Sequence, residues 1–201
     1  TRVYVVSDID KNNPDQLATA YRELMAASGG GALGLFTSIF RLRQVHERLS
    51  AEPEMEKLML LAQHVGPLDT GTLVDIFRAE ENACLLGTDA VRDGIDVPGR
   101  ALRLVVYDRV PWPRPTILHK ARKKDFEAKH SGAKYDDMLT RLRLKQAFGR
   151  LIRRADDHGV FVMLDRAMPS RLQGALPEGV EVHKIGLADV ISETKEFLGS
   201  R

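Results

Sequence analysis

Short apolar runs alternate with amphipathic segments along most of this chain. Five runs have the length of buried strands and lie at residues 3–7, 32–37, 83–86, 104–107 and 160–164, with two weaker ones at 59–63 and 180–184. Helical periodicity marks the segments 14–27, 39–49, 73–78 and 188–197. Because this alternation is typical of a mostly parallel sheet with helices on both faces, it predicts a three-layer α/β fold. No linker divides residues 1–201, so we predict one domain.

One predicted helix in the second half of the chain carries fixed charge on a narrow face. At about 100° per residue, Gln146, Arg150 and Arg153 align on one stripe, whereas Leu144 and Phe148 fall on the opposite face. The apolar face is suited to packing on a core, so the polar stripe points away from it. Ordinary solvated arginines would give the same pattern, and that interpretation stays open at this point.

A glycine inside the same helix favours contact with a ligand. Glycine in a helix interior costs about 1 kcal/mol relative to alanine, so Gly149 is best explained where another backbone or a ligand comes close. Guanidinium groups are permanently charged and present rigid donors that match phosphate oxygens. Arg150 and Arg153 beside Gly149 therefore indicate a site for a polyphosphate.

The predicted topology gathers a second set of polar residues at one edge of the sheet. Ligands of such sheets bind at the carboxyl ends of the strands. Thr37, Ser38, the segment 87–96, Asp165 and Arg166 all follow predicted strands and are expected at that edge. Thr37 and Ser38 are equally suited to capping the helix that follows, so capping and ligand contact are both retained.

Composition narrows the possible functions without identifying one. The chain is 43% hydrophobic and carries a net charge of +2, so binding of nucleic acid has to rest on local patches. One basic stretch, 111–134, includes Trp112 and Phe126 and suits either a nucleic-acid track or a solvated helix and loop.

Cys84 is the single cysteine, so this chain alone offers no zinc or iron–sulfur site. No apolar run approaches about 20 residues, and we expect a cytoplasmic protein without membrane contact.

Three short motifs resemble the signature motifs of superfamily two helicases. The spacing Gln-x-x-Gly-Arg-x-x-Arg at 146–153 resembles the last of these motifs, and the segment 87–99 resembles the one before it. Residues 34–38 resemble the motif at the start of the second motor domain. The motifs occur in the expected order. Over nearly its whole length the chain is similar to the DinG-type branch of the XPD-like DNA helicases, which implies the second of two RecA-like motor domains.

The resemblance implies a role for each motif residue. Arg150 and Arg153 would reach the terminal phosphates of ATP as arginine fingers, and Gln146 would position the phosphate or the attacking water. The residues implied beside the nucleotide are Gly94, Asp96 and Gly149. The residues implied to grip single-stranded DNA are Thr37, Ser38, Thr88 and Arg92. Asp93 stands where the family commonly has glutamate, which leaves its role open.

The chain lacks the parts that would hold ATP without a partner domain. It has no Gly-x-x-x-x-Gly-Lys-Ser/Thr loop and no acidic strand end to hold Mg²⁺, and residues 29–31 indicate a simple turn. The resemblance assigns ATP and Mg²⁺ mainly to a first RecA-like domain of the same polypeptide, and allows an iron–sulfur cluster only outside this chain. Because the sequence begins at Thr1, inside a predicted strand, we expect it to be a fragment of a longer protein.

An alternative function from another class is retained. A free-standing domain of this fold, without a partner domain, would hold nucleic acid or a protein and would not hydrolyse ATP. Tight and steeply salt-dependent binding of single-stranded DNA by the chain alone would favour this non-catalytic binding module.

Overall fold

The computed structural model describes residues 1–97, 99–132, 134–152 and 157–200. The strands in these ranges are β1 Arg2–Val6, β2 Ala32–Leu35, β3 Met59–Ala62, β4 Ala83–Gly87, β5 Leu104–Tyr107, β6 Val160–Met163 and β7 Val182–Ile185. They form one sheet in the order β3–β4–β2–β5–β6–β1–β7, and each neighbouring pair is parallel. The predicted parallel sheet is therefore confirmed.

Helices connect most of these strands. They are α1 Pro14–Ser28, α2 Ile39–Ser50, α3 Thr70–Ala79, α4 Asp89–Gly94, α5 Ile117–Lys129, α6 Tyr135–Leu151 and α7 Leu187–Gly199. α1 shows how local sequence sets such bounds, because the Asn13 side chain accepts hydrogen bonds from two backbone amides of the first turn and Gly29 ends the helix at φ 66°. Among the described residues, no helix combines the length and apolarity needed to cross a lipid bilayer.

Two apolar clusters fill the space on either side of the sheet. Alternation within β1 shows the division, since Val3 and Val5 join one cluster while Tyr4 and Val6 join the other. Residues of α3, α4 and α6 pack in the cluster with Val3, and residues of α1, α2 and α7 pack in the cluster with Tyr4. The three-layer α/β architecture predicted from the sequence is confirmed.

Two helices lie where the sequence predicts no regular element. α4 occupies only 6 residues of the segment 87–96, too few for a helical period to show. α5 lies within the basic stretch 111–134 and has no buried residue, so it lacks the apolar stripe by which a helix is normally recognised. The Thr116 hydroxyl begins α5 by accepting a hydrogen bond from the backbone amide of His119 at 3.1 Å.

The turn between α1 and β2 depends on glycine. Gly29, Gly30 and Gly31 have φ values of 66°, 102° and 58°. A Cβ atom on Gly30 would lie 2.5 Å from the Cα of Asn82, whereas a Cβ atom on Gly29 would meet no atom within 4 Å. The turn predicted here is therefore present, and its middle glycine also allows close approach of the backbone that leads into β4.

We expect Gly30→Ala to lower the free energy of unfolding by about 2 to 3 kcal/mol, because positive φ strains an L-residue and the new Cβ would collide with backbone atoms. Gly29→Ala is the matched control, since it adds only the strain of positive φ, about 1 kcal/mol. Urea unfolding of both variants measures the difference. Equal losses in the two variants would contradict a role for the contact with Asn82.

Candidate functional site

A groove of about 580 Å³ lies at the carboxyl edge of the sheet, beside the ends of β2, β4 and β5. Thr37 follows β2, Thr88 follows β4, and both line this groove. Pro111 and Trp112, from the segment after β5, line it as well. The topology thus brings together the hydroxyl residues that the sequence analysis expected at this edge.

Thr37 is held at the groove by a buried carboxylate and two arginines. Its backbone amide donates to Asp108 Oδ1 at 3.2 Å, and Arg41 Nε donates to Asp108 Oδ2 at 2.9 Å. A second Arg41 nitrogen donates to the Thr37 hydroxyl. Arg114 Nη2 donates to the Thr37 carbonyl at 3.0 Å. Backbone and side chain of Thr37 are therefore both fixed before any ligand arrives.

The environment of Asp108 makes this network sensitive to charge. The side chain has no exposed surface, and burial raises its pKa above the ordinary 3.8, while the bond and charge of Arg41 oppose that rise. Ser38, next to Thr37, accepts a hydrogen bond from the Arg41 amide at 3.4 Å and is the N-cap of α2. The capping alternative for Ser38 is confirmed, and a ligand contact stays a prediction.

A second buried carboxylate, Asp165, fixes the segment after β5 to the rest of the edge. It accepts hydrogen bonds from Lys11 Nζ at 2.8 Å and from the Val110 amide at 3.1 Å. Arg166 is exposed, and neither Asp165 nor Arg166 lines the groove. Of these two residues, Asp165 acts on the groove indirectly, by holding the backbone that leads to Trp112.

Thr88 is positioned by a buried glutamine. Gln63 is 3% exposed, and its Oε1 accepts from the Thr88 amide at 2.8 Å and from the Thr88 hydroxyl at 3.2 Å. Its Nε2 donates to the Thr70 hydroxyl in the first turn of α3 at 2.7 Å. Thr88, the residue directly before α4, is therefore joined through Gln63 to the end of β3 and to the first turn of α3.

Arg92, which the resemblance places at the DNA, is turned inward. The residue is 5% exposed, and its Nη1 and Nε pair with Asp89 and Asp93, both at 3.0 Å. Asp93, whose role the sequence leaves open, is thus a partner of Arg92. Direct contact between the Arg92 guanidinium and DNA would require these ion pairs to open.

α6 presents its polar stripe away from the core, as its periodicity predicts. Phe148 is buried and Gln146 is exposed. Arg150, half-buried, donates from Nε to the Arg92 carbonyl at 3.1 Å and from Nη2 to the Asp93 carbonyl at 2.8 Å. Carbonyls in the last turn of a helix have no partner within it, so Arg150 supplies that partner to α4 from another helix.

The other residues expected beside the nucleotide lie near this junction of α4 and α6. A Cβ atom on Gly149 or on Gly94 would meet no atom within 4 Å, so the described chain leaves open space beside both. Asp96 is exposed, and its carbonyl accepts from Arg78 Nε at 3.0 Å. Arg153, the second predicted finger, lies outside the described residues.

Positive charge predominates along the groove. Arg114, Arg122 and Arg143 line it, against the single carboxylate of Asp89 among the described lining residues. Phosphate oxygens are the natural partners of such an arrangement, and the lining hydroxyls offer further hydrogen bonds to them. The arrangement can therefore hold a phosphate backbone without reading a sequence.

One part of the basic stretch 111–134 lines the groove, as a nucleic-acid track would, and another part is a solvated helix. α5 packs on α6 through Asp136, whose carboxylate lies 2.7 Å from His119 Nε2 and 2.8 Å from Lys123 Nζ. Burial alone would raise the pKa of Asp136, but the bonds from Lys123 and His119 lower it. Trp112 lines the groove and Phe126 does not, so the first part of the stretch contributes to the groove while much of α5 is a solvated helix.

Three polar residues of this edge, Gln63, Asp108 and Arg143, are not among those predicted from the sequence. Gln63 and Asp108 each stand directly after a strand, a position that identifies them once the sheet is known to be parallel. Arg143 stands 7 residues before Arg150, which is about two helical turns, so both lie on one face of α6. The position of Arg143 on the same helix face as Arg150 could therefore have been predicted from the sequence alone.

The described residues contain no group of three or more His, Cys, Asp or Glu side chains that could hold a metal ion. Cys84 is buried in β4, and burial raises its pKa to about 12. What the site offers chemically is guanidinium charge and hydroxyl groups, which bind anions. Gln146 and Arg150 on α6 carry donors of the kind that phosphate oxygens accept, and the described ranges contain no cluster of His, Cys, Asp or Glu side chains for a metal ion.

The sequence matches a known domain family and several longer proteins. The family described as "Helicase C-terminal domain" matches residues 21–183. ATP-dependent helicase DinG of Mycobacterium tuberculosis is 35% identical over 82% of this chain and 24% of its own length. ATP-dependent DNA helicase YoaA of Escherichia coli is 34% identical over 80% of this chain and 25% of its own length. The chain thus spans about a quarter of these relatives.

Solved structures agree on the fold. Xpd4 of S. tokodaii superposes with a TM-score of 0.65 at 15% identity, covering 91% of this chain and 38% of that one. Dbp5 of S. cerevisiae, bound to RNA and ADP BeF3, superposes with a TM-score of 0.66 at 16% identity, covering 98% and 45%. The fold is therefore that of a RecA-like helicase domain. With the family match over residues 21–183, we conclude that the chain belongs to the helicase C-terminal domain family, in its DinG-type branch.

Proposed function

We propose that this chain is the second motor domain of an ATP-dependent DNA helicase and that a first domain of the same polypeptide holds ATP and Mg²⁺. One observation supports this more than any other. Arg150, a candidate finger residue, bonds to the last turn of α4, and the residue before α4 is Thr88 in the groove. The residue that we assign to the nucleotide and the residue that we assign to DNA are thus linked through one short helix.

On the nucleotide side, we assign Arg150 and Arg153 the role of arginine fingers and Gln146 the positioning of phosphate or water. Bound ATP would supply the phosphoryl bond whose hydrolysis drives the cycle. Guanidinium charge at its terminal phosphate stabilises the charge that develops as this bond breaks. Gly149 leaves space for a neighbouring backbone or the nucleotide itself, since nothing in the described chain fills it.

On the DNA side, we assign contact with the backbone of single-stranded DNA to Thr37, Ser38 and Thr88. Their hydroxyls would meet phosphates whose charge is balanced by the arginines around the groove, since the Thr37 and Thr88 amides already donate to Asp108 and Gln63. Arg92 acts through α4, because its guanidinium is held by Asp89 and Asp93.

The bonds of Arg150 suggest how the two sides communicate. When Arg150 turns to a phosphate, the carbonyls of Arg92 and Asp93 lose their partner, and α4 gains freedom to shift. Thr88, held by Gln63 at the other end of α4, changes its place in the groove accordingly. Gly94 and Asp96, where α4 ends, are assigned to the same coupling. Such small displacements suit a hinge-type cycle in which two domains grip DNA alternately.

For the 201-residue chain alone we expect weak binding of oligo(dT), with a Kd of about 10⁻⁶ to 10⁻⁴ M that rises with salt. Arg122→Ala should lower the slope of log affinity against log salt by about 0.7, because one phosphate contact is lost. Lys129→Ala is the matched control, since Lys129 also lies on α5 but pairs with Asp125 and does not line the groove. Fluorescence anisotropy over a salt series measures both slopes. Equal slopes in the two variants would contradict a DNA path along the groove.

The same titration separates the proposal from the non-catalytic binding module. Half of a motor should bind far more weakly than the intact helicase, because the first domain contributes the other part of the grip. A module that works without a partner domain should bind single-stranded DNA with its full affinity as an isolated chain. Nanomolar binding by the isolated chain would therefore favour the module.

A further inference from the structure

The single tryptophan of the chain lines the groove and lies close to an arginine. Trp112 is 38% exposed and lines the groove. The guanidinium carbon of Arg171 lies 5.9 Å from the centre of its ring, within reach of a cation–π contact. Arg171 does not line the groove but lines a separate hollow. Trp112 therefore contacts both the groove and an arginine that is not part of the groove lining.

Arg171 is oriented by a buried carboxylate. Asp137, in the first turn of α6, is 5% exposed and accepts from Arg171 Nε at 2.7 Å and from Arg171 Nη2 at 3.2 Å. The bond from Arg171 lowers the pKa of Asp137, so the pair is charged at neutral pH. Two parallel bonds fix the plane of a guanidinium, which a single bond would not do.

The backbone on which Trp112 stands is also fixed. Arg143 Nη1 donates to the carbonyl of Pro111 at 3.1 Å, and the Trp112 amide donates to the carbonyl of Val110 at 2.9 Å. Pro111 and Pro113 flank the tryptophan and restrict its backbone further. An aromatic ring that is a third exposed, on a rigid backbone and beside cationic groups, is the arrangement on which a nucleobase can stack.

We propose that Trp112 is a stacking platform for one base of single-stranded DNA in the groove, and that Asp137 and Arg171 are positioning residues that hold its ring in place. The inference rests on the proposed function, which supplies the DNA. It adds a contact with a base to the contacts with the backbone assigned above. Since every base has a π-face, this contact favours no sequence.

The test uses the emission of Trp112, which reports on one site because the chain has no other tryptophan. Oligo(dT) is titrated into the 201-residue chain at low salt, and binding is measured separately by anisotropy of labelled oligo(dT). We expect saturable quenching of the emission in step with binding. Trp112→Ala should weaken binding about 5-fold or more, and Trp112→Phe should restore most of the loss because a ring remains.

Arg171→Ala tests the positioning role, with Arg2→Ala as the matched control. Arg2 also lies over an aromatic ring, 4.8 Å from the centre of Phe197, but at the start of β1 and not at the groove. Both variants lose one positive charge. We expect Arg171→Ala to reduce the quenching at saturation by about half and the affinity by about 3-fold, and Arg2→Ala to change neither. Thermal unfolding of each variant checks that the fold is kept.

The outcomes separate this inference from the function on which it rests. Salt-dependent binding without quenching, or identical quenching in Arg171→Ala and Arg2→Ala, would overturn the stacking platform or its positioning and leave the proposed function standing. Failure of the chain to bind oligo(dT) at low salt, even at the highest concentration reached, would count against both. Quenching that follows binding, and that is reduced in Arg171→Ala but not in Arg2→Ala, would establish the inference.

Discussion

Replacing Arg150 with alanine in the intact helicase should reduce DNA-stimulated ATP hydrolysis about 10³-fold or more, the loss expected when an arginine finger is removed. Arg153→Ala should have a similar effect, because Arg153 is the second arginine of the Gln-x-x-Gly-Arg-x-x-Arg motif and is assigned the same role. Binding of single-stranded DNA by Arg150→Ala should change by less than about 3-fold, since Arg150 does not line the groove. ATP turnover at saturating DNA, with anisotropy for binding, gives both values.

Arg150 also donates hydrogen bonds to α4. The loss of ATP hydrolysis in Arg150→Ala therefore has to be distinguished from the effect of a displaced α4. Arg150→Gln keeps a donor for the carbonyls of Arg92 and Asp93 but removes the positive charge. Lys145→Ala, a change at an exposed position of the same helix, controls for general loss of charge. We expect Arg150→Gln to be nearly as inactive as Arg150→Ala and Lys145→Ala to be active. Near-normal turnover in Arg150→Gln would contradict the finger assignment.

Arg41→Ala should have the largest effect on stability, a loss of about 3 to 5 kcal/mol, because it leaves the buried Asp108 carboxylate without its closest charged partner. Arg109 lies 3.6 Å from the same carboxylate and offsets only part of the loss. Arg48→Ala is the matched control, since Arg48 also lies on α2 and pairs with Asp15 at 2.7 Å, but at the surface. It should cost about 1 kcal/mol or less. Chemical unfolding at neutral pH measures both losses.

The loss in Arg41→Ala should depend on pH in a definite direction. Burial raises the pKa of Asp108 above 3.8, and removing the opposing Arg41 raises it further. A carboxyl group whose pKa is raised by folding contributes stability below its unfolded pKa and loses that contribution as the pH rises through its folded pKa. The deficit relative to the wild-type chain should therefore be largest near neutral pH and shrink as the pH falls toward 3.8. A deficit that does not change with pH would contradict the buried pair.

The central strands were predictable because a strand that is buried on both faces of the sheet has a continuous run of apolar residues. β2, β4, β5 and β6 are buried along their whole length, and each coincides with a predicted run. α5 was not predictable, because it is attached to α6 by polar and ring contacts and not by an apolar face. Its sequence therefore gives no period to detect.

The sequence predicts which residues lie at the site, but not the hydrogen bonds and ion pairs that they form there. Sequence alone placed Thr37 and Thr88 at one edge, since parallel strands end together there. It could not show that Arg92 is buried between two carboxylates, although Asp89 and Asp93 stand at suitable spacings. The bonds from Arg150 to α4 join residues 57 and 58 positions apart, and only the packing of α4 on α6 brings them together.

The proposed link between nucleotide and DNA is most directly tested by the affinity of the intact helicase for oligo(dT), with and without a non-hydrolysable ATP analogue. Coupling between two sites is a free energy, so it appears as a ratio of the two affinities. We expect the analogue to change the affinity of the wild-type helicase by about 5-fold or more, and to have little effect in Arg150→Gln. An undiminished ratio in Arg150→Gln would contradict coupling through Arg150 and α4.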